Sequence, residues 1–232
     1  MLEDRETTVL VTGANRGLGA AFASALVRRG ARKVYAAARE PGTVRTSGVT
    51  PVELDVTDRA QVADLAERLS DVTVVINNAG IHRRSSLFDA DVVDVVEDVL
   101  QTNLLGTLAV TAAFTPVLLG NGGGVIANVL SAGSWLAGPG NIAYAVSKAA
   151  ALSLTNNVRA ELGPRRVQVT SIHAGFIDTD MTAAFPGPKL APDEVVDIAL
   201  TAIARGEQEV LIDEMSRNAK AASALPVPPS GV

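Results

Sequence analysis

The 232-residue sequence contains no cysteine, which excludes disulfides and thiolate metal sites. Aromatic residues make up 3% of it, and there are two histidines. His82 and His173 are read as loop or strand-end residues without a partner, so no metal is expected. An excess of positive charge is also missing: 20 Lys and Arg stand against 25 Asp and Glu, a net charge of −5. Arg83-Arg84 and Arg165-Arg166 are isolated pairs rather than a basic stripe, so nucleic acid is not an expected partner. No apolar run reaches the roughly 20 residues that a spanning helix needs, so no membrane association is expected. The start, Met1-Leu-Glu-Asp-Arg-Glu6, has no apolar h-region, and cytoplasmic residence is the expectation.

What the sequence does have is aliphatic residues. It is 47% hydrophobic and 19% charged, a balance that excludes intrinsic disorder. Short Val/Ile-rich runs alternate with longer segments of helical period. Thr8–Thr12, Lys33–Ala38, Val52–Val56, Thr73–Asn77, Val125–Val129, Val167–Ile172 and Val210–Ile212 read as strands. Continuous apolar runs of this kind suit a parallel sheet buried on both faces. Helices are expected over 17–29, ended by Gly30, and after Thr57 as N-cap. Others are expected over Asp91–Leu119 with Pro116 disturbing the last turns, over Ile142–Leu162, and over Pro192–Arg205. The alternation predicts an α/β doubly wound parallel sheet of Rossmann type, a three-layer α/β/α single domain over residues 1–224. Leu225–Val232 is rich in Pro and is expected to be a disordered or extended tail.

The first strand runs into Thr12-Gly13-Ala14-Asn15-Arg16-Gly17-Leu18-Gly19 and a helix. Glycines at such a junction let the backbone turn and approach a pyrophosphate. The helix N-terminus adds free N–H groups and a positive dipole end. The glycine order is not G-x-G-x-x-G, and no G-K-[ST] follows. By itself such a turn can be purely structural. Two further motifs accompany it: Asn77-Asn78-Ala79-Gly80 after the fourth strand, and Tyr144-Ala-Val-Ser-Lys148 opening the helix after the fifth. With these, roughly residues 7–215 resemble the short-chain dehydrogenase/reductase family, in its single-domain branch.

Tyr144 and Lys148 are spaced i, i+4 and project from one helix face. A neighbouring ammonium favours the phenolate and lowers the phenol pKa. A tyrosine tuned in this way can exchange a proton with a carbonyl or alcohol oxygen while a hydride moves at carbon. The resemblance implies that Asn103, Ser131, Tyr144 and Lys148 form a catalytic tetrad. Ser131 would hold the substrate oxygen, and Asn103 a water that relays protons to Lys148. Asn103 equally suits a kink or cap in a long helix. Where the family usually has two adjacent serines, Leu130 precedes Ser131, and Ser134 is the second candidate.

The resemblance also implies a dinucleotide held by Gly13, Asn15, Arg16, Gly17, Leu18 and Gly19, by Asp55 and Val56 at the adenine, and by Asn77, Ala79 and Gly80. Tyr144 and Lys148 would join Gly175, Ile177 and Thr179 at the nicotinamide. Ala174 replaces the family's usual Pro and is expected to loosen one wall there. An acid about 20 residues beyond the glycine loop signals NAD, but Ala38 and Arg39 stand at that place. Arg39 and Arg16 suit a 2′-phosphate, so NADP(H) is the preferred cofactor, with NAD(H) possible through Glu40. The short, Pro-rich Asp180–Ala191 segment predicts an open pocket, with Ser131, Trp135, Phe176, Met181 and Phe185 as candidate lining. The implied activity is hydride transfer between nicotinamide and a small ketone or secondary alcohol, in a homodimer or homotetramer. Reduction of an activated C=C bond or epimerisation is a second enzyme reading. The alternative is a non-catalytic NAD(P)-binding sensor, against which stands the retention of both Tyr144 and Lys148.

Overall fold

The computed structural model describes residues 6–224, so the expectation for Leu225–Val232 lies outside the described residues. Strand β1 (Thr8–Thr12) is buried at every position. Val9 and Val11 join Phe22, Leu26 and Leu200 in one core; Leu10 joins Leu65, Phe114 and Ile126 in another. This two-sided burial is why the strand's centre, Val9–Val11, is aliphatic. Strands β2 (Lys33–Ala38), β3 (Thr50–Glu53), β4 (Val74–Asn77), β5 (Gly124–Val129), β6 (Val167–His173) and β7 (Glu209–Leu211) complete a seven-stranded sheet. Its order is β3-β2-β1-β4-β5-β6-β7, and every pairing is parallel. Helices α1 (Gly17–Arg28) and α6 (Pro192–Ala204) cover one face; α2 (Arg59–Arg68), α4 (Thr107–Gly120) and α5 (Ile142–Leu162) cover the other. The sheet is thus doubly wound. Its strand order reverses between β1 and β4, whose carboxyl ends border the crevice where such sheets take ligands.

Several boundaries differ from expectation for local reasons. β3 pairs with β2 from Tyr35↔Thr50 to Ala38↔Glu53 and ends there because β2 ends. Asp58, not Thr57, caps α2: its Oδ1 accepts the N–H groups of Ala60 at 3.0 Å and Gln61 at 3.1 Å. Thr57 donates instead to Asp55. Helix α7 (Glu214–Ser223) was not expected; Asp213 opens it by accepting Ser216 N–H at 2.8 Å in a capping box.

Helix α3 (Val92–Leu100) runs through a π turn, Gln101–Gly106, into α4. The combined 29 residues, Val92–Gly120, are long and apolar enough to cross a membrane by length and composition, which corrects the expectation of no such segment. The same rod buries Val110, Phe114 and Leu118 completely against the sheet. Pro116 lies inside α4 without ending it; the irregularity sits earlier, in the π turn.

A buried polar chain joins four of these elements. Asn77 Nδ2 on β4 donates to Asn128 Oδ1 on β5 at 2.8 Å and to Thr111 Oγ1 on α4 at 3.1 Å. Asn128 Nδ2 donates to Thr155 Oγ1 on α5 at 2.9 Å. Buried polar groups left unpaired cost roughly 1–3 kcal/mol each, so Asn128→Ala should lower the unfolding free energy by about 2–4 kcal/mol in urea denaturation. An unchanged urea midpoint would refute this account of the chain.

Candidate active site

The glycine turn is shaped by close approach. Gly13 and Gly17 have φ of 63° and 52°, a region that favours glycine. A Cβ on Gly19 would stand 2.2 Å from Gly13 O, and one on Gly13 would stand 3.0 Å from Ala79 Cα. Asn78 clamps the turn: its Nδ2 donates to Thr12 O at 2.9 Å and Gly13 O at 3.1 Å. Thr12 Oγ1 accepts the N–H groups of Asn78 and Ala79, each at 3.0 Å. Asn77 faces the buried polar chain instead, and Leu18 packs into the core. The clamp by Thr12 and Asn78 was not anticipated, because it is made by backbone groups as much as by side chains.

Helix α1 starts at Arg16 without a side-chain cap. Asn15 Nδ2 donates to Thr43 Oγ1 at 3.2 Å in the loop after β2. Arg16 Nη1 pairs with Asp180 Oδ2 at 3.3 Å, both side chains largely exposed. Gly17 lies against Thr179, whose Cγ2 would be 3.2 Å from a Cβ there. Arg39 is exposed at the end of β2. Burial alone would raise the Asp55 carboxyl, but hydrogen bonds from Thr57 Oγ1 (2.7 Å) and N (2.9 Å), with the charge of Arg39, hold it below the usual range. Val56 packs on the π turn, 2.7 Å from where a Cβ of Gly106 would stand. An uncapped helix start, a cradle with no room for Cβ atoms and two arginines at its rim fit a dinucleotide bearing a 2′-phosphate.

The π turn places Asn103, which is 2% exposed. Its Oδ1 accepts Ile81 N–H at 2.8 Å, and its Nδ2 donates to Ile81 O at 2.9 Å and Ser147 Oγ at 3.0 Å. Gly80 lies against the same Oδ1. Asn103 thus lies in the helix irregularity and reaches α5 through Ser147. Ser147 Oγ donates to Tyr144 O at 2.8 Å. Ser131 Oγ accepts Gly133 N–H at 3.0 Å and lies close enough to the Tyr144 phenol to favour its ionised form. Ser134 is buried with its hydroxyl unpaired. Lys148 Nζ donates to Val129 O at 2.8 Å and lies 5.6 Å from the Tyr144 ring centre.

The electrostatics differ from expectation. Burial raises the Tyr144 phenol, with Ser131 pulling the other way, and burial lowers Lys148 to about 8. The ammonium does not depress the phenol here because Lys148 is drawn to Val129 O and desolvation dominates both groups.

Both histidines have partners, contrary to expectation. His173 is fully buried; its Nδ1–H donates to Ser131 O at 3.2 Å, its ring stacks on Trp135 at 4.3 Å, and burial lowers it to about 4. Trp135 thus lies against His173. His82 meets the Tyr144 ring edge-on at 5.1 Å and the Phe185 ring at 5.4 Å, and Phe185 meets Phe176 at 5.0 Å. The loop after β6 is pinned at its base: Leu190 N–H donates to Phe176 O and Asp178 N–H to Leu190 O, both at 2.9 Å. Phe185 reaches from it across to His82, while Met181 remains 43% exposed. The Ala174 segment is held on both sides: Ala132 N–H donates to Ala174 O at 2.9 Å, and Gly175 N–H to Asp213 Oδ2 at 2.8 Å. The one sequence signal for Asp213 was the spacing of its capping box to Ser216.

Residues 7–188 match the family model described as short chain dehydrogenase. The chain belongs to the short-chain dehydrogenase/reductase family. This dehydrogenase is 43% identical to a short chain dehydrogenase from Burkholderia cenocepacia solved in complex with NADP, with a TM-score of 0.88 over 94% of this chain and 93% of that one. It is 28% identical to an NADP-dependent 3-hydroxy acid dehydrogenase from Schizosaccharomyces pombe, over 90% of this chain and 91% of the relative. A putative NAD(P) dependent gluconate 5-dehydrogenase from Beutenbergia cavernae, with bound NADP at low occupancy, is 28% identical with a TM-score of 0.80, over 89% and 95%. The short-chain dehydrogenase is therefore an oxidoreductase on a Rossmann-type sheet.

The buried lysine gives a pH signature. Lys148 titrates near 10.5 when unfolded and about 8 when folded. Between those values the unfolded chain holds more protons, so this group makes stability climb as pH rises. Relative to Lys148→Met, the wild type should gain stability in chemical denaturation from pH 8 to 10. A pH-independent difference would contradict desolvation of the ammonium.

Proposed function

We propose that the chain is an NADP(H)-dependent carbonyl reductase, reversible as an alcohol dehydrogenase, with Tyr144 as general acid and base. The observation that carries this reading is Lys148, buried with its Nζ 5.6 Å from the Tyr144 ring centre, with Ser131 favouring the phenolate. When bound, the reduced nicotinamide supplies a hydride to carbon. The carbonyl oxygen accepts hydrogen bonds from Ser131 and Tyr144, which orient it and polarise the C=O bond. The Tyr144 O–H bond then breaks and the alcohol O–H forms. Burial keeps the phenol protonated at neutral pH, ready to donate. Ser131 favours the phenolate left behind, while Lys148, with a pKa of about 8, is an ammonium at pH 7 held by Val129 O. In the oxidative direction the phenolate takes the alcohol proton. Asn103 acts through Ser147, which bonds the Tyr144 carbonyl, and so fixes the start of α5.

Arg16 and Arg39 at the rim support NADP(H) over NAD(H), as do the NADP-bound neighbours. A homodimer or homotetramer is supported by large apolar side chains exposed on α4 and α5, Leu108 and Val146.

Tyr144→Phe should cut NADPH-linked ketone reduction by about 10²–10⁴-fold while NADPH binding persists; an unchanged rate would sink the assignment. Arg39→Ala should weaken NADPH by ~1.5–3 kcal/mol in fluorescence titration and leave NADH little changed. Equal loss of both cofactors would count against the phosphate role.

A further inference from the structure

The chain has five Phe, two Tyr and one Trp, and half of these scarce rings gather at the site: Trp135, Tyr144, Phe176 and Phe185. Of the others, Phe22, Phe114 and Tyr35 are in the core, and Phe88 is exposed. Trp135 is taken up by His173. The remaining rings form a continuous surface with His82, running from Tyr144 to His82 at 5.1 Å, on to Phe185 at 5.4 Å and to Phe176 at 5.0 Å. Two loops on separate strands contribute to it, and each part is held. His82 Nε2 meets Asn141 Oδ1 at 3.1 Å, Phe185 N–H donates to Thr182 O at 2.9 Å, and Phe176 O accepts Leu190 N–H at 2.9 Å.

The surface offers little to a charged substrate. Its neighbouring ammonium, Lys148, is bonded to Val129 O, and Arg16 and Asp180 neutralise one another farther along the loop. Arg84 lies at the rim against Gly140, exposed to solvent. A carboxylate set against the rings would lose hydration without a paired cation. A planar ring would instead make edge-to-face and offset contacts.

We infer that the substrate is a ketone whose larger substituent is an aromatic ring, bound against His82, Phe185 and Phe176 beside Tyr144, and that Phe185 sets this preference. The inference rests on the carbonyl-reductase reading and narrows it.

The test follows NADPH oxidation with acetophenone, cyclohexyl methyl ketone and 3-oxobutanoate. Wild-type kcat/KM for acetophenone should exceed that for the cyclohexyl ketone by about threefold to tenfold. Phe185→Leu, which keeps bulk and removes the ring, should bring that ratio near one, while Phe185→Tyr should keep it. NADPH titration checks that each variant is folded. His82→Leu should shift the ratio the same way and provides the test if Phe185→Leu does not fold. Preference for 3-oxobutanoate, or a ratio unmoved by both leucine variants, would overturn the inference. Equal turnover of aromatic and alicyclic ketones would overturn it and leave the carbonyl-reductase reading standing. No turnover of any ketone, with NADPH still bound, would bring down both.

Discussion

Helix α5 is fastened to strand β5 at two depths, and the site depends on that registration. Thr155 accepts from Asn128 at 2.9 Å, and Lys148 donates to Val129 O at 2.8 Å. The first bond is buried and the second partly so, and a slip of the helix along the sheet would strand polar groups on each side. Tyr144 sits one turn before Lys148 and inherits its position from this fastening. Ser131, just beyond β5, inherits its own from the same strand. The distance between phenol and serine is therefore set by the sheet rather than by the loop that carries Ser131.

The cofactor side is tied to the same frame from the other direction. The glycine turn hangs on Thr12 and Asn78, and the segment after β4 continues through Ile81 to Asn103. Asn103 then reaches Ser147 on α5. A short run of hydrogen bonds thus joins the turn that would cradle phosphate to the helix that carries the phenol. Few of these links involve a formal charge, and the exposed Arg16–Asp180 pair adds little rigidity by comparison.

Elements buried on two faces were legible in the sequence. β1, β2 and α5 follow their expected bounds because their aliphatic runs and terminal residues admit one reading. β3 was placed late, since its end is decided by where β2 stops rather than by its own residues. α7 was missed because it is short and polar, with an Asp–Ser cap as its signal. At the site, Tyr144, Lys148, Ser131 and Asn103 were named through the family resemblance, with the i, i+4 spacing of Tyr144 and Lys148 as its physical support. The roles of His82, His173 and Asp213 could not be named, because each depends on a partner far away in sequence. The direction of the Tyr144 shift was misread for a related reason. Spacing reveals the neighbouring ammonium, whereas the burial that outweighs it belongs to the assembled fold.

The π turn between α3 and α4 has a mechanical meaning. A regular helix advances about 100° per residue, so one extra residue in a turn rotates everything downstream by roughly that angle. α3 presents its flank to α5, while α4 presents its own to the sheet and to α2. The two helices share one axis yet behave as a crankshaft, with offset faces serving different neighbours. Asn103 lies at the throw of the crank, where the rod changes faces and still reaches α5 through Ser147.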